Sequence, residues 1–129
     1  MTMTLNAPPT PGRAQLEPAP EELCRIDGVV GILFQQAGQW IIQDMPLDED
    51  RVEKMGRLAQ EMCEGFRKAR RPLRQIMIGY AAGGTLLIQS KDDAQLVLLI
   101  LNEGDLDAAS EAAQVYLTNH FKKRLKLPS

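Results

Sequence analysis

Gln95-Leu-Val-Leu-Leu-Ile-Leu101 decides the fold, because six apolar residues follow Gln95 without a polar interruption. A strand with one wet face alternates apolar and polar residues, whereas an unbroken run marks a strand covered on both faces. Val29-Val-Gly-Ile-Leu-Phe34 is a second run of this kind. Both strands are therefore expected at the centre of a sheet, with helices over its two sides.

The neighbouring segments supply the rest of the sheet. Gln36-Ala37-Gly38 is a turn, and Trp40-Ile41-Ile42 leads a second strand ending near Asp44 and Pro46, which together read as a hairpin. Gln75–Tyr80 alternates, with Ile76, Ile78 and Tyr80 on one face and Met77 on the other. Ala82-Gly83-Gly84 turns the chain, Thr85–Gln89 returns, and Lys91-Asp92-Asp93 turns it again into the decisive run.

Three helices complete the pattern. A short turn from Pro20 to Ile26 is bounded by a proline at its start and Gly28 at its end. A long helix from about Asp48 to Arg70 carries Val52, Met55, Ala59, Met62, Phe66 and Ala69 at heptad spacing, widened by Leu58 and Cys63. Its acidic start (Asp48, Glu49, Asp50, Glu53) and basic end (Arg67, Lys68, Arg70, Arg71) suit the helix dipole, and Pro72 terminates it. The last helix, Asp105 to Arg124, places Leu106, Ala109, Ala113, Tyr116, Leu117 and Phe121 on one face. The order is short helix, two strands, long helix, three strands, helix.

Composition narrows the function. The 129 residues hold 15 Lys and Arg against 17 Asp and Glu, a net charge of −2 that is poor for general nucleic-acid binding. No apolar run approaches the roughly 20 residues of a membrane span, and no export signal is visible, so a single cytoplasmic domain is expected over residues 21–126. Residues 1–20 hold five of the eight prolines and read as a disordered tail.

No catalytic set emerges. The one histidine, His120, lies within the apolar arc of the last helix and reads as a packed residue at the core edge. Cys63 lies in the apolar arc of the long helix, and Cys24 has no base near it in sequence. Gly79-Tyr-Ala-Ala-Gly83-Gly84 lacks the Lys-Ser/Thr ending of a phosphate loop. Asp48-x-Asp50 and Asp92-Asp93 lack the further oxygens of a calcium loop. No enzyme, cofactor or metal site is expected.

The segment Ile26-Asp-Gly-Val-Val-Gly-Ile-Leu-Phe34, the Ala37-Gly38 turn before Trp40, and the Gly84-Thr-Leu-Leu-Ile-Gln89 and Gln95–Leu101 hairpin leading through Asn102-Glu-Gly104 into a helix together resemble the Roadblock family of dynein light chains and their bacterial relatives. The resemblance spans roughly residues 22–125. It implies a three-layer α/β/α sandwich around a five-stranded antiparallel sheet in the order 2-1-5-4-3. It also implies a homodimer built from the long helix and third strand, with Val52, Met55, Ala59, Met62, Phe66, Ile76 and Ile78 at the interface. Members bind or regulate Ras-like small GTPases without being enzymes themselves, or serve as scaffold subunits of motor, polarity or signalling complexes. Arg67, Arg70, Arg71 and Arg74 are then candidates for contacting an acidic partner surface. Pro18 and Pro20 shorten the first helix relative to the family, so one sheet face is covered by the tail, by a partner, or less completely. A small-molecule sensor on a profilin-like sheet is a third reading, and few polar groups point to the pocket it needs.

Overall fold

The computed structural model describes residues 16–69, 75–79, 83–101 and 104–126, with side chains as far as Lys122. The elements are α1 (Glu21–Cys24), β1 (Val29–Gln36), β2 (Gln39–Asp44), α2 (Glu49–Lys68), β3 (Gln75–Gly79), β4 (Gly84–Lys91), β5 (Ala94–Leu101) and α3 (Leu106–Lys126). The five strands form one sheet in the order β2-β1-β5-β4-β3, and every neighbouring pair is antiparallel. The two unbroken apolar runs are thus the inner strands β1 and β5. Tyr80, the 80–82 part of the third turn and Asn102-Glu103 lie outside the described residues.

Alternation sorts the side chains into two cores. On one face Ile32, Phe34, Ile42, Leu87, Leu96, Leu98 and Ile100 pack with Ala109, Ala113 and Leu117 of α3 and Leu23 of α1. On the other, Leu33, Leu86, Ile88 and Val97 pack with Met45 and with Val52 and Ala59 of α2. Burying side chains of this size stabilises by roughly 1.5–3 kcal/mol each.

The first helix is a single turn, and residues before it share its work. Ala19 packs on the α3-side core, and residues 16–20 run extended. The Glu17 N–H donates to the Ile41 carbonyl at 2.7 Å, on the outer side of β2. The stretch 16–20, which composition assigned to the tail, is thus part of the packed domain; residues 1–15 lie outside the described chain.

Caps and close contacts set the helix directions. Asp48 Oδ1 accepts from the Arg51 N–H at 2.9 Å, and Asp105 Oδ1 accepts from the Ala108 N–H at 3.0 Å, so both long helices begin on an aspartate. Gly28 and Gly104 meet backbone to backbone. A Cβ on Gly104 would lie 2.8 Å from the Asp27 carbonyl oxygen, which leaves room only for glycine. This contact, with Asp105 N–H donating to Asp27 O at 3.0 Å, ties the start of α3 to the start of β1. The loop before α2 reaches the same end, where Met45 and Pro46 cover Gly31. At the opposite end α2 finishes near the β4–β5 turn, with Arg67 Nη1 3.4 Å from Asp92 O. There α3 brings Phe121 beneath Lys91, whose Nζ lies 5.9 Å from the ring centroid. The two long helices, on opposite faces, therefore run in the same direction.

Candidate functional site

The spacing of α2 reads as one heptad seam, but the structure resolves it into two stripes. Val52, Gly56 and Ala59 are buried against the sheet, and half-buried Cys63 continues that line. Val52 and Ala59 are 0% exposed within the single chain, which removes them from the expected interface set: their surface is already spent on their own core. At about 100° per residue, Met55, Leu58, Met62 and Phe66 form a second stripe about 90° around the helix. Leu58 is 51% and Phe66 41% exposed, while Met55 and Met62 are half-buried.

The direction of the second stripe follows from its opposite flank. Gln60 reaches toward the β1–β2 turn, its Oε1 3.9 Å from where a Cβ on Gly38 would lie. That flank faces the β2 edge, so the exposed stripe faces the β3 edge. Ile76 and Ile78 of β3, half-buried on the same sheet face, continue the apolar surface. Met77 points to the other face and is exposed, as the alternation indicated.

A buried amide pair holds α2 at this angle. Gln35 Nε2 donates to the Gly56 carbonyl at 2.7 Å and to Gln95 Oε1 at 2.9 Å, with Gln35 and Gln95 both buried. A Cβ on residue 56 would collide with Gln35 Oε1, so glycine lets the helix close onto the amide. These three residues escape a hydrophobicity reading; the only signal is a pair of glutamines flanking apolar strand runs and a glycine inside a helix.

The two sheet edges differ. The β2 edge carries the 16–20 segment, and Pro18 and Pro20 offer no N–H to a further strand. The β3 edge, Gln-Ile-Met-Ile-Gly over residues 75–79, holds no proline and no charge.

The remaining candidates are placed as follows. Arg67 lies on the Gln60 side of α2, away from the exposed stripe; Arg70, Arg71 and Arg74 lie outside the described residues. His120 Nε2 is 3.3 Å from Gln36 Oε1, and its ring meets Phe34 edge-on with centroids 4.9 Å apart. Burial raises the Cys63 thiol above its ordinary pKa, against a hydrogen bond with Ser90 that lowers it. Burial, with the Glu17 and Glu22 charges adding to it, pushes the Tyr116 phenol up to about 12. Among the described residues no three His, Cys, Asp or Glu side chains gather to hold a metal. No described helix is long and apolar enough to cross a membrane.

No protein-family model matches the sequence, and no curated protein sequence matches it either. Solved structures do. The Roadblock/LC7 domain from Streptomyces avermitilis superposes with a TM-score of 0.54 at 15% identity, covering 75% of this chain and 92% of that one. The gliding protein MglB from Thermus thermophilus superposes with a TM-score of 0.52 at 14% identity, covering 73% of this chain and 76% of that one. With the strand order, these likenesses show that the chain has the Roadblock/LC7 α/β fold.

Proposed function

We propose that this chain is a non-catalytic, dimeric interaction module that binds and regulates a Ras-like small GTPase. The observation that carries the reading is the exposed apolar stripe of α2 beside an unguarded β3 edge, on a Roadblock/LC7 fold. The second copy supplies what both features lack. A strand pairs along β3, and the mate's α2 covers Met55, Leu58, Met62 and Phe66, with Ile76 and Ile78 beneath them. The dimer then presents two adjacent long helices as the surface on which a GTPase is read.

Light scattering at micromolar concentration tests the dimer. The unmodified chain is expected at twice its 14.3 kDa mass. Leu58→Glu with Phe66→Glu, both exposed in the single chain, is expected to give a folded monomer, because each side chain forfeits roughly 2 kcal/mol of burial. A monomeric wild type overturns the dimer. Capture on the immobilised protein, with a GTP analogue or GDP present and bound proteins identified by mass spectrometry, tests the second half. Recovery of a small GTPase in one nucleotide state supports regulation. Partners recovered without one support the scaffold reading instead.

A further inference from the structure

The charges of the molecule are segregated along the helix direction. Arg25, Arg51, Lys54 and Arg57 belong to α1 and the first half of α2, and each lies within 3.5 Å of a carboxylate: Glu21, Asp48, Asp50 and Glu53 respectively. Arg67, Lys68, Lys91 and Lys122 gather at the opposite end, and none of them makes an ion pair among the described residues. They come from three elements: the end of α2 on one sheet face, the β4–β5 turn, and the end of α3 on the other face. The backbone of α3 continues to Lys126, so Lys123, Arg124 and Lys126 follow in the same last turns.

Arg67 donates to a carbonyl and Lys91 rests over Phe121, so neither cation is neutralised. Opposing charge at this end comes from the helix C-termini, about half a negative charge each, and from Asp92 and Asp93 of the turn. Asp93 Oδ1 already accepts from Gln36 Nε2 at 2.8 Å. The balance is clearly positive, on a protein whose net charge is −2.

We infer that this blunt basic end is a docking face for an anionic lipid bilayer. Two layer spacings of about 10 Å separate the ends of α2 and α3, so the cations spread over more than a Debye length, about 8 Å at physiological salt. A continuous charged plane meets all of them at once. A protein partner would need acidic residues matched to three separate elements. Most of the cations are lysines, whose compact charge suits lipid headgroups without the paired geometry that an arginine fork reads. Membrane attachment here is peripheral and electrostatic, and it leaves the α2 stripe and β3 edge uncovered.

Flotation of the full chain with vesicles tests this, using phosphatidylcholine alone or with about a third phosphatidylserine. Binding is expected only to the phosphatidylserine vesicles at about 0.05 M salt, and it is expected to vanish near 0.5 M. Each cation near such a surface contributes about 1 kcal/mol, or roughly five-fold in partitioning. Lys68→Gln, Lys91→Gln and Lys122→Gln together should therefore weaken binding on the order of 100-fold, with the melting temperature unchanged. Arg25→Gln with Arg51→Gln, at the other end, should change it by less than about two-fold. Indifference of the wild type to phosphatidylserine at low salt overturns the inference, as does equal binding by the triple variant. Salt-sensitive capture of an acidic protein through the same three lysines, with vesicles ignored, assigns the face to a protein instead and also overturns it.

Discussion

Replacing Gly56 by alanine should destabilise the protein, against the ordinary rule for a helix interior. An alanine there normally gains about 1 kcal/mol over glycine. Here the new methyl group meets Gln35 Oε1 and lies 3.3 Å from Gln35 Cδ, and the buried amide has little room to move away. Displacing it breaks the bonds to Gly56 O and Gln95 Oε1, at 2.7 and 2.9 Å. A buried polar group left without its partner costs about 1–3 kcal/mol. Two such losses against one propensity gain leave a net destabilisation of about 2–3 kcal/mol. With a urea m-value of about 2 kcal/mol/M, the unfolding midpoint falls by about 1 M. Gly65→Ala provides the internal comparison, because Gly65 is an exposed residue of the same helix with nothing within 4 Å of its Cβ position. It should stabilise by about 0.5–1 kcal/mol. Adding Gln35→Ala to Gly56→Ala should cost less than the two changes summed, since the colliding amide is gone. A Gly56→Ala protein as stable as wild type, or shifted in the same direction as Gly65→Ala, refutes the argument.

Ala37 holds φ +52° in the two-residue β1–β2 turn, a left-handed conformation that costs an alanine about 1–2 kcal/mol. Ala37→Asn should therefore raise the melting temperature by several degrees in a thermal scan. Tyr116 titrates near 12 in the folded chain, above its ordinary value of 10, so the neutral phenol is the form that the fold favours. Its contribution is full below pH 10 and is lost as pH rises from 10 toward 12. Tyr116→Phe should flatten the alkaline decline in stability, measured by urea unfolding at several pH values, and a decline as steep as in wild type would contradict this.

The sheet was legible because Leu96–Leu101 and Val29–Phe34 contain almost no polar residue to place in water, which left the centre as the only position for them. Helix boundaries were legible from Asp48, Asp105 and the charged helix ends. The sidedness of α2 was not. Heptad spacing holds Val52 and Ala59 together with Met62 and Phe66, and only the position of Gly56 against Gln35 shows which line touches the sheet. Glycine adds nothing to a hydrophobic pattern, and a buried glutamine reads as a surface residue until its partner is known. Lys91 and Lys122 lie 31 positions apart and meet only because α3 runs toward the β4–β5 turn. The packing of residues 16–20 escaped notice for the opposite reason. Proline-rich composition signals disorder, yet one hydrogen bond from Glu17 and the seating of Ala19 suffice to lay the segment beside β2.

That segment limits how many molecules can join. A sheet with two bare edges has two valences and propagates, each added copy offering a new edge to the next. With Pro18 and Pro20 lying along β2, this sheet has a single valence, at β3. Two copies that pair through β3 consume both valences and close the assembly, so growth by strand addition terminates at the pair and a fibre has no site from which to start.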